Sequence, residues 1–392
     1  MYPRRNCYEE LPRIVCSTSR NYLSATKRMD GNMKIRDVRT TLLSIPLKTP
    51  IADSTHVLNH IQWILVDVLT DGGLKGTSFM LTFEYGPDLL RDIIDKELKK
   101  HVVGQDARHI GKIREICWKQ TEYIGQSGVA AWGIGAIDIA LWDLLGKSLN
   151  CPVYQLLGAR RDRVPIYGSG GWLSYSIDEL LAEVSSYLER GFKMVKIKVG
   201  SPDPSRDVER VKAVRDLVGD NVSLMIDANQ AWTPNEAIAF ARKIQDLNIF
   251  WFEEPVARDD LDGYAHVASS IDIPLATGER EYSISNFKEL LIRKGVAIVQ
   301  PDILRIGGIT QCMKLAHLAE AFNRRVATHF YKELDIHVMA SIPNALFLEY
   351  FDWLDGLLVN PLEVVEGIAK VPQRPGLGVE FKPEAIKEYQ VH

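Results

Sequence analysis

From about Val164 to Tyr350 the chain repeats one phrase. A short apolar run ends in polar residues, and an amphipathic stretch follows. The runs at Val164–Gly168, Met194–Val199, Ser223–Asp227, Phe250–Glu253, Pro274–Thr277, Ile298–Pro301, Arg325–Thr328 and Phe347–Tyr350 read as strands. Ile177–Arg190, Pro204–Leu217 and Pro234–Asp246 read as intervening helices. Alternating strands and helices predict parallel strands joined by right-handed crossovers. About eight such units close into a barrel.

The chain upstream follows a different pattern. Residues 33–47 and 63–76 alternate as strands, with a turn at Asp71-Gly72-Gly73. Helical periodicity follows over Asp88–Lys100, Ala107–Glu122 and 129–147, predicting an α+β unit. Its loops Ile51–His60 and Phe79–Gly86 are rich in polar and aromatic side chains and are placed to lie over an active site. The segment RPGLGVEFKPEAIKEY at the C-terminal end is expected to return to this unit. Residues 1–32 carry six Lys and Arg with no clean periodicity and read as a disordered extension. The expected domains are thus 33–150, completed by about 370–392, and a barrel over 151–369.

Composition narrows the class. Hydrophobic residues make up 46% and charged residues 25%, the proportions of a globular chain. No uninterrupted apolar run approaches the ~20 residues of a membrane helix. The formal net charge is −4 with no long basic run, which argues against nucleic-acid and membrane partners. Any anionic substrate must then be captured by a local feature. Cys7, Cys16, Cys117, Cys151 and Cys312 are scattered, odd in number and free of C-x-x-C spacing. They read as free, mostly buried thiols in a reducing, cytoplasmic setting.

Barrel chemistry gathers at the C-terminal ends of the strands. There the second strand ends in Lys196-Ile197-Lys198, whose two lysines share a face because a strand has period two. Asp227, Glu253 and Glu279 follow on the next three strands, each 26 positions after the last, one strand–helix unit apart. Three converging anions require a cation, and hard oxygen donors without Cys or His suit Mg²⁺ rather than zinc. Each lysine ammonium is expected to lower the other's pKa and so furnish a neutral base. Asp302 and His329, one strand apart, form an acid/base pair in which the carboxylate fixes the imidazole tautomer. Glu349, if protonated, can donate a hydrogen bond to an enediolate. Asn229 shares the face of Asp227. Glu254 points away from Glu253 and reads as an ion-pair partner, Arg280 and Arg305 as counter-charges, and His337 as structural.

Together the stretches VKIKVG, MIDANQAW, WFEEP, ATGE, QPDILRIGGIT, ATHF and LEYFDWL, with AIDIALWDLLGK and RPGLGVEF, resemble the enolase superfamily and, within it, the mandelate racemase subgroup. The resemblance runs from about residue 33 to the C-terminal end. It implies a modified barrel of (β/α)7β type with an N-terminal α+β cap whose loops choose the substrate. It implies one Mg²⁺ held by Asp227, Glu253 and Glu279. Lys198, with Lys196 beside it, would be the base on one face, and His329 with Asp302 the acid/base on the other. Glu349, Lys196 and Asn229 would contact the substrate. A small carboxylate substrate, a homo-oligomer, and dehydration of an aldonate or aldarate of the galactarate/talarate type are the corresponding expectations. Racemisation of a 2-hydroxy acid, sugar-acid cycloisomerisation and a non-catalytic carboxylate-binding barrel are the alternatives.

Overall fold

The computed structural model describes residues 33–391. The expectation for residues 1–32, and with it Cys7 and Cys16, lies outside the described residues. Strands β1 (Ile35–Ala52), β2 (Val57–Thr70) and β3 (Lys75–Thr82) form an antiparallel meander. The C-terminal strand β14 (Gln390–Val391) adds to its edge by pairing with Leu42 and Leu43 of β1.

The barrel strands are β4 (Arg163–Gly170), β5 (Met194–Lys198), β6 (Ser223–Asp227), β7 (Ile249–Glu253), β8 (Leu275–Thr277), β9 (Ile298–Val299), β10 (Arg325–Val326) and β11 (Leu348–Tyr350). They pair in parallel and in sequence order from β4 to β10. β11 closes the ring on β4 through Leu348–Ile166 and Tyr350–Gly168, and a single bridge at Val326–Ala345 joins β10 to the segment before β11. A helix follows each strand from β4 to β10, whereas only a 3-10 turn, Asp355–Leu357, follows β11. The fold is therefore a (β/α)7β barrel with an N-terminal α+β cap. The short hairpin β12 (Val364–Val365) and β13 (Ile368–Lys370) lies antiparallel against β4.

Two local expectations change. The stretch Ile51–His60 is mostly strand: β1 runs to Ala52 and β2 begins at Val57, so the hairpin tip is only 53–56. The helix expected over Asp88–Lys100 is interrupted by a π-turn, Ile93–Leu98, which turns three of its apolar residues into the core.

Among the described residues one helix, Val129–Ser148, is long and apolar enough to cross a membrane. Here it is internal and joins cap to barrel. Its Ala136 carbonyl accepts from Ser78 Oγ of β3 at 2.6 Å, and buried Asp143 accepts from the backbone of Thr77 and Leu377, both at 2.8 Å. Asp138 and Trp142 bond Thr310 of the barrel at 3.0 Å each. Gly135 allows this approach, since a Cβ there would sit 2.4 Å from the Leu304 carbonyl oxygen. Cys117 and Cys312 are buried free thiols.

Candidate active site

The cap hairpin tips reach the open end of the barrel. The Ala52 carbonyl accepts from Leu173 N at 2.7 Å, and Ser54 Oγ donates to the Ala228 carbonyl at 2.7 Å. Between tips and strand ends lies a cavity of about 300 Å³. Asp53, His56, Phe83 and Tyr85 come from the cap, and Lys198, Asn229, Glu279, Asp302, His329 and Glu349 from the barrel. Both sequence-predicted cap loops thus contribute to its wall.

Asp227 and Glu253 are direct partners in the β6–β7 register, which the 26-residue spacing anticipates. Glu279 reaches them differently. It lies two residues past the end of β8, beyond Gly278 at φ +131°, a conformation suited to glycine. A Cβ on Gly278 would meet Phe287 Cε1 at 2.3 Å. The result is one buried cluster in which an oxygen of each of the three carboxylates lies within 4.8 Å of the others.

The cluster is braced from outside. Trp251 Nε1 and Gln300 Nε2 donate to Glu253 Oε2 at 2.9 and 2.8 Å, and Asn229 N donates to Asp227 Oδ1 at 2.9 Å. Burial pushes the Glu253 carboxyl up to about 7 even with Lys196 beside it. Asn229 Oδ1 is buried without a partner, next to the cluster. Desolvated hard oxygens, excess negative charge and a spare amide oxygen fit a divalent hard cation.

Two proton-handling groups flank the cluster. Lys198 Nζ stands 2.6 Å from Asp227 Oδ2 at one end. At the other, His329 Nε2 lies 3.4 Å from Glu279 Oε2, while its Nδ1 pairs with Asp302 Oδ2 at 3.0 Å. Asp302 is itself oriented by the backbone N–H groups of Leu304 and Arg305, at 2.9 Å each. Burial alone would lower the His329 pKa, but Glu279 and Asp302 raise it.

Three features depart from expectation. Lys198 and Lys196 are both held above the usual lysine value rather than below it. Burial lowers Lys198, and Lys196 lowers it further, yet Asp227, Asp53 and Glu279 outweigh both. Lys196, more strongly raised, is pinned to Glu253 at 2.6 Å and Glu349 at 2.8 Å and does not line the cavity. Glu349 is the third. Burial would raise it, but the Lys196 ammonium pulls it down to about 2, so in this state it accepts, from Ser169 Oγ at 2.7 Å and Phe330 N at 2.9 Å. The readings of Glu254 and Arg280 as partners (3.2 Å), Arg305 beside Asp302 (3.9 Å) and His337 as a buried structural histidine agree with the geometry.

Sequence reasoning missed an aromatic wall. Trp172, Phe351, Trp353, Phe83 and Phe330 line one side of the cavity, with Trp172 stacked on Trp353 at 5.8 Å and Lys198 Nζ 5.6 Å from the Trp172 ring. Trp172 lies just past the end of β4, so asking of the first strand what was asked of the others finds it. Arg258, five residues past Glu253, was missed too; it also lines the cavity.

Comparison with known proteins agrees with this geometry. Residues 35–158 match the family described as Mandelate racemase / muconate lactonizing enzyme, N-terminal domain, and residues 179–385 match Enolase C-terminal domain-like. The chain is 35% identical over 354 residues to a 3,6-anhydro-alpha-L-galactonate cycloisomerase of Streptomyces coelicolor, covering 90% of this chain and 98% of that one. It is 35% identical over 366 residues to an L-talarate/galactarate dehydratase of Salmonella typhimurium, covering 91% and 92%. The L-talarate dehydratase of Polaromonas sp. JS666, solved with Mg and L-glucarate, superposes with a TM-score of 0.84 at 34% identity, covering 92% of this chain and 98% of that one.

Proposed function

Since the chain belongs to the mandelate racemase subgroup of the enolase superfamily, and is an enzyme using Mg²⁺, we propose that it dehydrates an acid sugar, an aldonate or aldarate, to a 2-keto-3-deoxy acid. One observation carries this reading: Lys198 and the His329–Asp302 pair open into the same cavity from the two ends of one carboxylate cluster. A protein that only bound carboxylates needs no such pair.

Asp227, Glu253 and Glu279 would hold the Mg²⁺. When bound, the ion offsets their mutual repulsion and stabilises negative charge developing on the substrate carboxylate. A carboxylate cannot fully serve both the ion and Lys198, so the attraction that keeps the Lys198 ammonium charged weakens in the loaded enzyme. Lys198 then removes the proton from C2. His329, held ready to donate by Asp302, protonates the C3 hydroxyl, the C3–O bond breaks and water leaves. The enol then takes a proton at C3, gives up the proton on its C2 oxygen and becomes the keto acid. Asn229 orients the substrate near the cluster. Lys196 holds Glu349 at the back of the site, and both act on the substrate carboxylate's surroundings. Residues 33–150 with 370–392 serve as the cap and 151–369 as the barrel.

The aromatic wall favours a second reading, since it can receive the C–H face of a ring. Proton exchange between the Lys198 and His329 faces would then give racemisation, while the same C2 proton removal with a ring oxygen leaving C3 in place of a hydroxyl, and His329 protonating that oxygen, would open the ring as a cycloisomerisation. A library of open-chain and cyclic acid sugars incubated with the protein and Mg²⁺ and assayed with semicarbazide separates these readings. A 2-keto product from an open-chain acid sugar supports dehydration, and one formed only from cyclic sugar acids supports cycloisomerisation. Deuterium entering C2 from D₂O without a keto product supports racemisation instead.

A further inference from the structure

The charges lining the cavity do not cancel evenly. Lys198 is engaged by Asp227 at 2.6 Å, and Arg280 by Glu254 and Glu279 at 3.2 and 3.4 Å. Arg305 is 3.9 Å from Asp302 and donates to the Glu279 carbonyl at 3.0 Å. Arg258 is different. Among the described residues no carboxylate oxygen lies within 4.0 Å of its guanidinium. Glu281 is near enough to feel its charge but is bonded to Asn286.

Yet Arg258 is fixed in place. Its backbone N–H donates to Gln230 Oε1 at 2.8 Å, its Nη1 donates to the Arg280 carbonyl at 2.7 Å, and its guanidinium lies 5.5 Å from the centre of the Tyr282 ring. A guanidinium has five N–H donors in a planar fork matched to a carboxylate. One of them is used in this anchoring and the rest remain for a ligand. Because the fork is already held, little ordering cost remains for binding.

Resting on the acid-sugar reading, we propose that Arg258 forms a second anion subsite in the cavity and that the substrate is a dicarboxylic sugar acid, whose far carboxylate this guanidinium receives. The reacting carboxylate lies by the cluster and Lys198, and a cavity of about 300 Å³ accommodates a six-carbon chain reaching from there to Arg258. A monocarboxylic acid of the same configuration presents a neutral hydroxymethyl group to Arg258 and leaves the charge unmatched.

The test compares each aldarate with its matching aldonate, galactarate with galactonate and glucarate with gluconate. Wild type, Arg258→Gln and Arg258→Lys are assayed with Mg²⁺ for keto-acid formation. The same pairs are titrated calorimetrically into Lys198→Ala protein with and without Arg258→Gln. Wild type is expected to favour the diacid, and Arg258→Gln to reduce the diacid-to-monoacid ratio of kcat/KM roughly 10- to 100-fold, the worth of one charged hydrogen-bonded pair. Arg258→Lys restores part of the ratio. Because the ratio is taken within each protein, a fraction of misfolded variant cancels. An unchanged ratio in Arg258→Gln, or a wild type favouring the monoacid, overturns the proposal. Equal loss on both acids, with a lowered Tm, assigns Arg258 to supporting Glu281 and also overturns it. If no pair yields a keto acid in any protein, dehydration fails as a reading, while the calorimetric ratio still decides the subsite.

Discussion

Two layers inside the same barrel, two residues apart on the same strands, have opposite character. The lower layer is apolar: Tyr167, Met194, Met225, Trp251, Ala276, Ile298 and Ala327 pack into one buried cluster. One inward step along each strand brings Ser169, Lys196, Asp227, Glu253 and Glu349 and, past the strand ends, Glu279 and His329, all at most sparingly exposed. The lower layer is stabilised by burial and dispersion. The upper layer is a set of desolvated charges whose arrangement costs stability unless paired or metal-bound. The barrel interior is therefore a rigid apolar plug carrying an ionic site, and the plug fixes the positions of the charges. Trp251 belongs to both layers, its ring 5.4 Å from Tyr167 and its Nε1 bonded to Glu253.

The largest expected effect separates the layers. Lys198→Ala, in the upper layer, should lower kcat by about 100- to 10,000-fold while the folded protein still binds acid sugar, checked by steady-state kinetics and calorimetry. A loss of fold with activity would erase the contrast. Next, Trp251→Ala should cost about 3–5 kcal/mol of stability in urea unfolding, the usual cost of truncating a buried aromatic. If it unfolds no more readily than wild type, the lower layer is not the support described. A buried base without a countercharge gives a smaller effect. His337 is fully buried, accepts from Tyr154 N and bonds the Leu377 carbonyl, and burial lowers its pKa to about 4. Its folded pKa lies below its unfolded value near 6.5, so the unfolded chain binds the extra proton. Stability should fall by about 2 kcal/mol from pH 6.5 to pH 5, and His337→Gln should flatten that slope. The finest probe is Trp251→Phe, which keeps the ring but removes the donor to Glu253. It should weaken Mg²⁺ binding about 10- to 100-fold with only a minor change in stability.

Much of this contrast was legible in the sequence, because period two and a constant 26-residue repeat are local properties. They put Asp227 and Glu253 in register and both lysines on one face. The return of Glu279 through Gly278 was not legible, because it depends on a backbone angle beyond the strand. The direction of the lysine shifts was missed because the sequence shows Lys196 and Lys198 as neighbours of each other but not the carboxylates that surround them in space. The aromatic wall draws Trp172, Phe83 and Phe351 from three distant segments, and no spacing rule links them. Arg258 looks in sequence like any loop arginine; only its lack of an acidic partner among the described residues sets it apart.

The central claim is that three acids gather one divalent ion between an amine and an imidazole. Anomalous diffraction from crystals grown with Mn²⁺ in place of Mg²⁺ tests it most directly. The expected result is a single strong peak within bonding distance of Asp227, Glu253 and Glu279, with Lys198 and His329 on either side. A map with no peak among those three carboxylates, or with its strong peak elsewhere in the molecule, contradicts the account.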